Sequence, residues 1–358
     1  MSQPAVIFGG PSPEHDVSIL LGLPAARALA GAGHDVSAVY WSRTGELFAV
    51  DTSSEKEDFY DGVPRKARPL VLGSKGFEGK RFPAPSVVVN CCHGGPGEDG
   101  TLQAALDMAG IPYTGPTVAT AALGMDKLAF GGVMVAAGLP SLARAAIGPD
   151  VQEPPFDGPY IVKPRYGGSS IGIELASDWA TAKALLQSVH LRAGAVVEPY
   201  RPQSQDLNVA MRSYPELQLS AIERPIRSEG RLEILGYADK YLSGDGMVTA
   251  SKELPAEIPI NTEKLLREVA VAVAGLVGLR GVARLDFLYD DGEIFVNEIN
   301  TIPGSLAKYL WIDPVVPFAR LLEDMITEAT TRPSTAWTVA GADGSALRAA
   351  GSIASKLG

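Results

Sequence analysis

The sequence is poor in cysteine and contains no long apolar run. Its only two cysteines, Cys91 and Cys92, are neighbours, and neighbouring strand residues point to opposite faces, so they are poor partners for a disulfide. We therefore expect a reducing, cytoplasmic setting. No apolar run reaches the length of about 18 residues that a membrane helix needs, and the N-terminus lacks a basic region followed by an apolar signal core. We expect no membrane partner.

Basic residues are too few for a nucleic-acid-binding surface. The chain has 31 Lys and Arg against 41 Asp and Glu, a net charge of -10, without a long Lys/Arg run. This balance argues against a nucleic-acid partner. A hydrophobic content of 46% with 20% charged residues is that of an ordinary globular protein. A length of 358 residues predicts two or three domains.

The segment 282–304 is the most informative stretch of the chain. It predicts two antiparallel strands joined by an Asp-Asp-Gly turn. Because strand side chains alternate, Arg284 and Asp286 share one face of the first strand. Glu298 and Asn300 share one face of the second for the same reason. If both sets face inward, two carboxylates, an amide and a guanidinium converge, and such oxygen ligands suit magnesium, which normally arrives with phosphates.

The alternative is a surface hairpin with alternating polar residues. Several residues between the polar ones are apolar, namely Leu285, Phe287, Phe295, Val296 and Ile299. They favour burial of the hairpin, and buried carboxylates need hydrogen-bond partners or a metal ion.

The N-terminal residues predict a strand (5–8), a glycine-containing loop (9–18) and a helix that continues to about Ala30. This order is typical of the start of a nucleotide-binding fold, but Glu14 at the helix start would repel a pyrophosphate. Its carboxylate suits the ammonium group of a ligand better. The alternative is that Glu14 only complements the charge of the helix N-terminus.

A second glycine-rich loop follows an almost wholly apolar strand (86–91), which is the pattern of a central parallel strand. This loop (93–100) contains four glycines with a histidine, a glutamate and an aspartate. Loops after parallel strands gather at one edge of an open sheet, so loops 9–18 and 93–100 should face one cleft. A lone histidine such as His93 is more often structural. Because it lies among four glycines, a glutamate and an aspartate, we expect a binding role.

A third loop, of small residues, follows a strand that ends at Lys163. Glycine and serine expose backbone N–H groups and hydroxyls, which fits a loop that closes over phosphates. The spacing is not that of a P-loop, which needs Gly-Lys-Ser/Thr before a helix.

Together these segments resemble the D-alanine–D-alanine ligase family of the ATP-grasp superfamily, in register from Val6 to about Leu310. The resemblance is carried by the motifs at 8–18, 93–100, 125–127, 163–172, 240–241 and 284–304. It implies an α/β fold in which an N-terminal Rossmann-like parallel sheet domain precedes a two-part ATP-grasp fold. The implied boundaries are an N-terminal domain 1–115, a central subdomain 116–200, a C-terminal subdomain 201–332 and a weakly ordered tail 333–358.

The resemblance implies how the chain would bind ATP. Lys127 and Lys163 would hold the phosphates, and Lys240 the phosphate that is transferred. Ser169 and Ser170 would belong to the loop that closes over them.

Further contacts implied by the resemblance concern the nucleoside and the metal. Glu198 would lie on the adenine side and Asp206 at the ribose, the latter in a segment one residue longer than usual. The magnesium ligands would be Asp286, Glu298 and Asn300, holding two ions, with manganese as the alternative metal.

The implied catalytic residues surround the first amino acid. Glu14 would contact its ammonium group, in agreement with the charge argument. Arg284 and the Gly304 N–H would stabilise the tetrahedral oxyanion. Tyr241 would close a hydrogen-bonded set with Glu14 and Ser169.

The implied reaction needs no nucleophilic side chain. The carboxylate of one D-alanine attacks the γ-phosphate of ATP and becomes an acyl phosphate. The amine of a second D-alanine attacks that carbonyl and expels phosphate, with positioning and charge stabilisation from the protein. The partners would be small amino acids, the setting peptidoglycan precursor synthesis in the cytoplasm, and the family allows a homodimer.

The substrate pocket departs from the family at one position. His93 and Leu310 would contribute to this pocket, but Tyr309 stands where the family has a serine that helps to bind the acceptor's carboxylate. Lys308 offers a charge nearby. Gly167 also stands where many members have Glu, in the closing loop. The acceptor is therefore open to question.

Two other functions remain open at this stage. One is a ligase of the same family that uses a different amino acid or amine as acceptor. The other is a nucleotide-binding protein without turnover. The presence of all four polar hairpin residues argues against the second, and an ADP-release assay separates the two.

Overall fold

The computed structural model describes residues 3–226, 252–335 and 337–356. Lys240, predicted to bind the transferred phosphate, and Tyr241, predicted to be catalytic, lie outside the described residues. The described part contains three β-sheets with helices packed against them. Each sheet positions a different part of the candidate site.

The first sheet has six strands in the order β5-β4-β3-β2-β1-β6. Their bounds are β1 Pro4–Gly9, β2 Ser37–Trp41, β3 Leu47–Val50, β4 Arg68–Gly73, β5 Gly76–Glu78 and β6 Val87–Asn90. β1 pairs in parallel with both β2 and β6, and every residue of β1 and β6 is buried. The predicted parallel sheet is therefore confirmed, with β3 to β5 as an antiparallel extension.

Three helices accompany the first sheet: α1 His15–Gly31, α2 Gly95–Glu98 and α3 Thr101–Met108. α1 begins directly after the loop that follows β1, and α2 lies in the loop that follows β6. The two loops predicted to share a cleft therefore leave the sheet from neighbouring parallel strands, at their carboxyl ends.

The second sheet is antiparallel, in the order β7-β10-β8-β9. Its strands are β7 Ala145–Ile147, β8 Tyr160–Pro164, β9 Glu174–Ala176 and β10 Ala195–Pro199. The helices of this region are α4 Val118–Met125, α5 Lys127–Ala136 and α6 Trp179–Ala184. Between α4 and α5, Asp126 caps α5, since its carboxylate accepts hydrogen bonds from the N–H groups of Leu128 and Ala129.

The third sheet has the strand order β13-β12-β11-β14-β15. Its strands are β11 Gln205–Arg212, β12 Gln218–Pro225, β13 Lys252–Glu253, β14 Val282–Asp290 and β15 Glu293–Asn300, and α7 Ile260–Val277 packs on it. β14 and β15 form the predicted hairpin, whose turn residues Asp291 and Gly292 both have positive φ. The apolar side chains of the hairpin enter the core beneath α7.

The chain ends with helices α8 Phe318–Thr331 and α9 Ser345–Ala349. Short 3₁₀ segments occur at Lys56–Phe59, Leu185–Gln187, Val189–Leu191, Gly304–Leu310 and Ile353–Lys356. Among the described residues, no single helix has the length and hydropathy needed to cross a membrane. α4 and α5 reach that length and hydropathy only when they are taken together, and the two helices are bent by 99° relative to each other.

Candidate active site

A polar cleft lies where the first sheet, the loop after β8 and the end of the β14–β15 hairpin meet. Among the described residues its lining comprises Glu14, His93, Glu98, Gly124, Met125, Lys127, Gly167, Gly168, Ser169, Arg284, Glu298, Ile299, Asn300, Thr301, Ile302 and Gly304. The cleft therefore gathers eight of the residues that the sequence predicts as site residues. Loops 9–18 and 93–100 do share it, as predicted.

Glu14 joins two loops at one wall of the cleft. The Ser169 hydroxyl donates a hydrogen bond to its Oε1. A Cβ at Gly94 would lie 2.5 Å from Glu14 Oε2, so only glycine at that position leaves room for the carboxylate. Ser169 and Ser170 have φ of 55° and 57°, a left-handed conformation that turns this loop toward Glu14. Glu14 and Ser169 are therefore in direct contact, and the role of this pair toward a substrate stays a prediction.

Lys127 is the first residue of α5, and its side chain is buried. Its Nζ donates to the carbonyl of Gly167 and lies 4.0 Å from Glu298 Oε2. Burial lowers the pKa of Lys127, and the carboxylate of Glu298 opposes that shift. The ammonium therefore lies between the glycine-rich loop and the hairpin.

Lys163 belongs to a buried network at the end of β8. Its Nζ donates to Glu198 Oε2 at 2.7 Å and to Asn297 Oδ1 at 3.2 Å. Glu198 Oε1 lies 2.7 Å from Nε of Arg144. Burial alone would raise the pKa of Glu198, but Arg144 and Lys163 outweigh it and hold the pKa below its ordinary value. Its carboxylate is thus an ionised partner of two cations.

The hairpin brings the predicted polar residues together. Asp286 lies opposite Glu298, and Arg284 opposite Asn300. Arg284 donates to both carboxylate oxygens of Asp286, at 2.6 and 2.7 Å, while Asn300 Nδ2 donates to Asp286 Oδ2 at 3.0 Å. Burial would lower the pKa of Arg284, but the charge and hydrogen bonds of Asp286 more than offset it and hold the pKa well above its ordinary value.

The oxygen atoms of this hairpin fit a magnesium ion. Asp286 and Glu298 supply two carboxylates on facing strand positions. Asn300 donates its amide N–H to Asp286, so its carbonyl oxygen would be the third oxygen donor; hard oxygen donors of this kind are those that magnesium prefers. Among the described residues, no group of three or more His, Cys, Asp or Glu suited to a metal ion occurs.

His93 and Glu98 occupy the wall next to Glu14. Burial lowers the pKa of His93 to about 4, so the imidazole is neutral near pH 7. Burial and the neighbouring charge of Glu14 raise the pKa of Glu98 to about 7. Glu98 accepts hydrogen bonds from the N–H groups of Gly94 at 2.9 Å and Ile302 at 3.0 Å, and so ties this wall to the end of the hairpin.

Tyr309 lies beside the hairpin rather than among the residues of the cleft wall. Its hydroxyl donates to Glu223 Oε2 at 3.1 Å, and the ammonium of Lys252 lies 4.3 Å from its ring centroid. Lys308 lies over the ring of Phe318, at 4.8 Å. Tyr309 is therefore anchored by Glu223, and Lys308 packs against α8.

The remaining predicted residues differ in position. Gly304 lines the cleft and begins a 3₁₀ segment. The Leu310 side chain is fully buried in the core. Asp206 lies in β11 opposite Leu288 and, like Glu198, is not part of the cleft wall. Their roles toward a ligand stay predictions.

Sequence reasoning missed several residues of this site. Arg144 belongs to no motif and contacts residues far away in sequence. Asn297 lies inside the hairpin motif, yet strict alternation gave no reason to select it. Glu98 lies in the 93–100 motif without an assigned role, and Glu223 is recognisable only once β12 is placed beside β11.

Comparisons with known proteins agree with this geometry. Residues 3–116 match the family model described as "D-ala D-ala ligase N-terminus", and residues 150–327 match "D-ala D-ala ligase C-terminus". The D-alanine–D-alanine ligase of Mycobacterium sp. (strain KMS) is 31% identical over 366 residues, which cover 92% of this chain and 96% of that protein.

Solved structures give the same picture. The D-alanine-D-alanine ligase from Coxiella burnetii superposes with a TM-score of 0.77 at 23% identity, over 92% of this chain and 94% of that one. VanG D-Ala:D-Ser ligase from Enterococcus faecalis superposes with a TM-score of 0.73 at 26% identity, over 92% and 99%. The predicted α/β fold, a Rossmann-like domain followed by an ATP-grasp fold, is confirmed, and the chain belongs to the D-alanine–D-alanine ligase family.

Proposed function

We propose that this protein is an ATP-dependent ligase that joins two D-alanines. The observation that carries the proposal is the convergence of opposite charges in one cleft. Lys127 lies 4.0 Å from the hairpin carboxylate of Glu298, and Glu14 with Ser169 lines the same cleft. An anionic nucleotide beside a zwitterionic amino acid matches this distribution of charge.

Each charged group has a defined task in the proposed reaction. Glu14 binds the ammonium group of the first amino acid. The carboxylate of that amino acid is thereby turned toward the phosphate site. That carboxylate attacks the γ-phosphorus of ATP, the bond to the bridging oxygen breaks, and ADP leaves. Lys127 and Lys163 hold the phosphate oxygens; because burial lowers the pKa of Lys127, Glu298 at 4.0 Å helps to keep it charged.

The second step forms the peptide bond. The amine of the acceptor attacks the acyl phosphate carbon, and phosphate departs as the tetrahedral oxyanion collapses. Arg284 stabilises that oxyanion together with the Gly304 N–H. The two hydrogen bonds from Arg284 to Asp286 fix its plane before the substrate binds, which avoids reorganisation during the reaction.

Magnesium would be held by Asp286, Glu298 and Asn300. When bound, it neutralises phosphate charge and makes the γ-phosphate a better electrophile. Two ions are proposed, with manganese as a substitute. Ser170, Glu198, Asp206 and Lys240 keep their proposed roles at the nucleotide, as do His93 and Leu310 at the substrate. Tyr241 keeps its proposed place in the hydrogen-bonded set with Glu14 and Ser169.

The wider setting is also proposed. The net charge of -10 supports small-molecule partners rather than nucleic acid, and we propose a cytoplasmic location and a homodimer. The proposed domains are 1–115, 116–200 and 201–332, followed by a tail at 333–358.

A second candidate is a ligase with another acceptor. Tyr309 supports it, because its hydroxyl is already bonded to Glu223. VanG D-Ala:D-Ser ligase, one of the solved relatives, supports it as well, since it is named for an acceptor other than D-alanine.

The test is a coupled assay of ADP release with ATP, magnesium and pairs of amino acids. D-alanine alone should sustain turnover, and mass spectrometry should identify the dipeptide. ADP release only with a mixed pair would favour the second candidate. ATP binding without any amino-acid-dependent release would contradict both.

A further inference from the structure

Arg144 links three segments that are distant in sequence. It immediately precedes β7, and its side chain is only 3% exposed. Nη1 donates to the carbonyl of Lys127 at 2.9 Å, Nη2 donates to the carbonyl of Asn297, and Nε lies 2.7 Å from Glu198 Oε1. One guanidinium therefore holds the start of α5, the hairpin and β10.

Arg144 contacts Asn297 at the point where the regular pairing of β14 and β15 is interrupted. Asp286 pairs with Glu298, but the next residue, Phe287, pairs with Val296. Asn297 is therefore the extra residue of a β-bulge, and the extra residue of a bulge is left unpaired in the ladder. Arg144 donates to that carbonyl and so stabilises the bulge that turns Glu298 toward the cleft.

The segment before Arg144 runs along the same strand. The Val296 N–H donates to the Pro140 carbonyl at 2.8 Å, and the Ser141 hydroxyl donates to the Val296 carbonyl at 3.2 Å. The bulge is thus held on one side by β14 and on the other by the segment that carries Arg144.

The contact to Glu198 reaches a lysine of the proposed ATP site. Glu198 uses one carboxylate oxygen for Arg144 and the other for Lys163. Lys163 also donates to the side chain of Asn297. Removing the guanidinium would leave a buried carboxylate with one cation, which would draw Lys163 more deeply toward Glu198 and away from a phosphate.

We propose that Arg144 is a positioning residue for the triphosphate: it orients Lys163 through Glu198 and fixes the backbone that carries Lys127 and Glu298. The inference deepens the proposed function, because it takes the bound anion to be ATP. It assigns Glu198 a side-chain role in orienting Lys163.

A glycine in α5 makes this role testable without removing any charge. A Cβ at Gly131 would lie 2.5 Å from Cδ of Arg144, whereas a Cβ at the adjacent Gly132 would meet nothing within 4 Å. Alanine is the better helix former at both positions. Gly131→Ala should therefore displace Arg144 while leaving the helix intact, and Gly132→Ala is its matched control.

The experiment compares Gly131→Ala, Gly132→Ala, Arg144→Lys and the unmodified chain. Calorimetry gives the Kd for ATP with EDTA and with magnesium, steady-state kinetics give KM for ATP and D-alanine, and thermal melting checks the fold. We expect Gly131→Ala and Arg144→Lys to raise the Kd and KM for ATP about tenfold, as for a lost charged hydrogen bond. The KM for D-alanine, and all values of Gly132→Ala, should change less than about twofold.

The outcomes separate this inference from the proposed function. Unchanged ATP affinity in Gly131→Ala and Arg144→Lys would overturn the role of Arg144. So would parallel changes in both KM values with a lower melting temperature, because they indicate a structural role only. If the unmodified chain binds ATP but releases no phosphate with D-alanine, the proposed ligase activity is wrong. The Kd values for ATP then decide the positioning role of Arg144 by themselves. If Arg144→Lys does not fold, Gly131→Ala alone decides.

Discussion

The Ser169 hydroxyl donates a hydrogen bond to Glu14, a residue 155 positions earlier in the chain. This bond connects the loop after β8 with the start of α1, and so closes the cleft across two sheets. In the proposed function the same carboxylate binds the ammonium group of the first amino acid. Closure of the loop and binding of the substrate thus depend on one side chain.

The first prediction concerns this bond. Ser169→Ala removes a donor to a charged acceptor, and such a hydrogen bond contributes about 1.5–3 kcal/mol. We expect kcat/KM for D-alanine to fall roughly ten- to hundredfold, measured by ADP release, because the loop no longer holds Glu14 in position.

The matched control for this prediction is Ser177→Ala. Ser177 is also a serine that donates to a carboxylate, that of Asp178, but it lies on the surface. Its kinetics should match those of the unmodified protein. Equal kinetics for Ser169→Ala and Ser177→Ala would mean that the Ser169–Glu14 bond has no part in turnover.

The second prediction concerns the proposed metal ligands. Glu298→Gln makes one of the two hairpin carboxylates neutral. Metal stabilisation of phosphate charge is worth several kcal/mol, so we expect turnover to fall by at least about a hundredfold and to need more magnesium. Steady-state rates over a magnesium titration provide the measurement.

Glu293→Gln is the control for the metal prediction, because Glu293 is an exposed residue at the start of the same strand. It should behave like the unmodified protein, and melting curves should agree for all three proteins. Full activity of Glu298→Gln at saturating magnesium would remove the hairpin from the catalytic site.

The sequence predicted this hairpin because two local signals agree. An Asp-Asp-Gly turn lies between two apolar runs, and Asp291 and Gly292 adopt the positive φ that the turn requires. Alternation then correctly predicted that Arg284 and Asp286 share a face. The loops after β1 and β6 were predicted to meet for a similar reason, since their strands are short, apolar and parallel.

Alternation fails at the bulge. Strict period two would put Val296 and Glu298 on the same face, whereas Val296 is fully buried in the core and Glu298 lines the cleft. A bulge depends on the neighbouring segment, here Arg144, whose contact to Asn297 spans 153 residues. No local pattern carries that information. The short strands β3 to β5 were missed because their mixed burial gives no clear period.

The third prediction is a dependence of stability on pH. Burial raises the pKa of Glu98 from 4.5 to about 7, so the folded state prefers the protonated form. The contribution of Glu98 to stability is complete below pH 4.5 and is lost as the pH rises to about 7. A shift of this size corresponds to roughly 3 kcal/mol.

Urea unfolding between pH 4.5 and 7.5 measures this effect. His93 has the opposite slope, because burial lowers its pKa to about 4 and its contribution is lost as the pH falls below 6.5. His93 contributes equally to the free energy of unfolding of Glu98→Gln and of the unmodified protein, so its contribution cancels when the two free energies are subtracted. That difference should change in favour of Glu98→Gln as the pH rises. A flat difference would mean that Glu98 titrates normally.

The last prediction concerns the acceptor. In the proposed function, Tyr309 takes the place of the family serine that helps to bind the acceptor carboxylate; its hydroxyl donates to Glu223 at 3.1 Å and its ring lies against Lys252. The carboxylate of D-alanine would then lose the donor that the serine provides, at a cost of about 1–3 kcal/mol.

Tyr309→Ser should restore that donor and remove the ring. We expect the KM for D-alanine as acceptor to fall roughly tenfold, with the ATP requirement and donor binding unchanged, because Glu14 and Ser169 are untouched. Tyr309→Phe separates the two effects: it keeps the ring and loses only the hydrogen bond to Glu223, so it should not improve acceptor binding. The measurement is the rate of dipeptide formation as a function of D-alanine concentration, which resolves a tight donor site from a weaker acceptor site. If the unmodified protein already has a tight acceptor site for D-alanine, and Tyr309→Ser leaves it unchanged, Tyr309 does not restrict the acceptor and D-alanine is the ordinary second substrate.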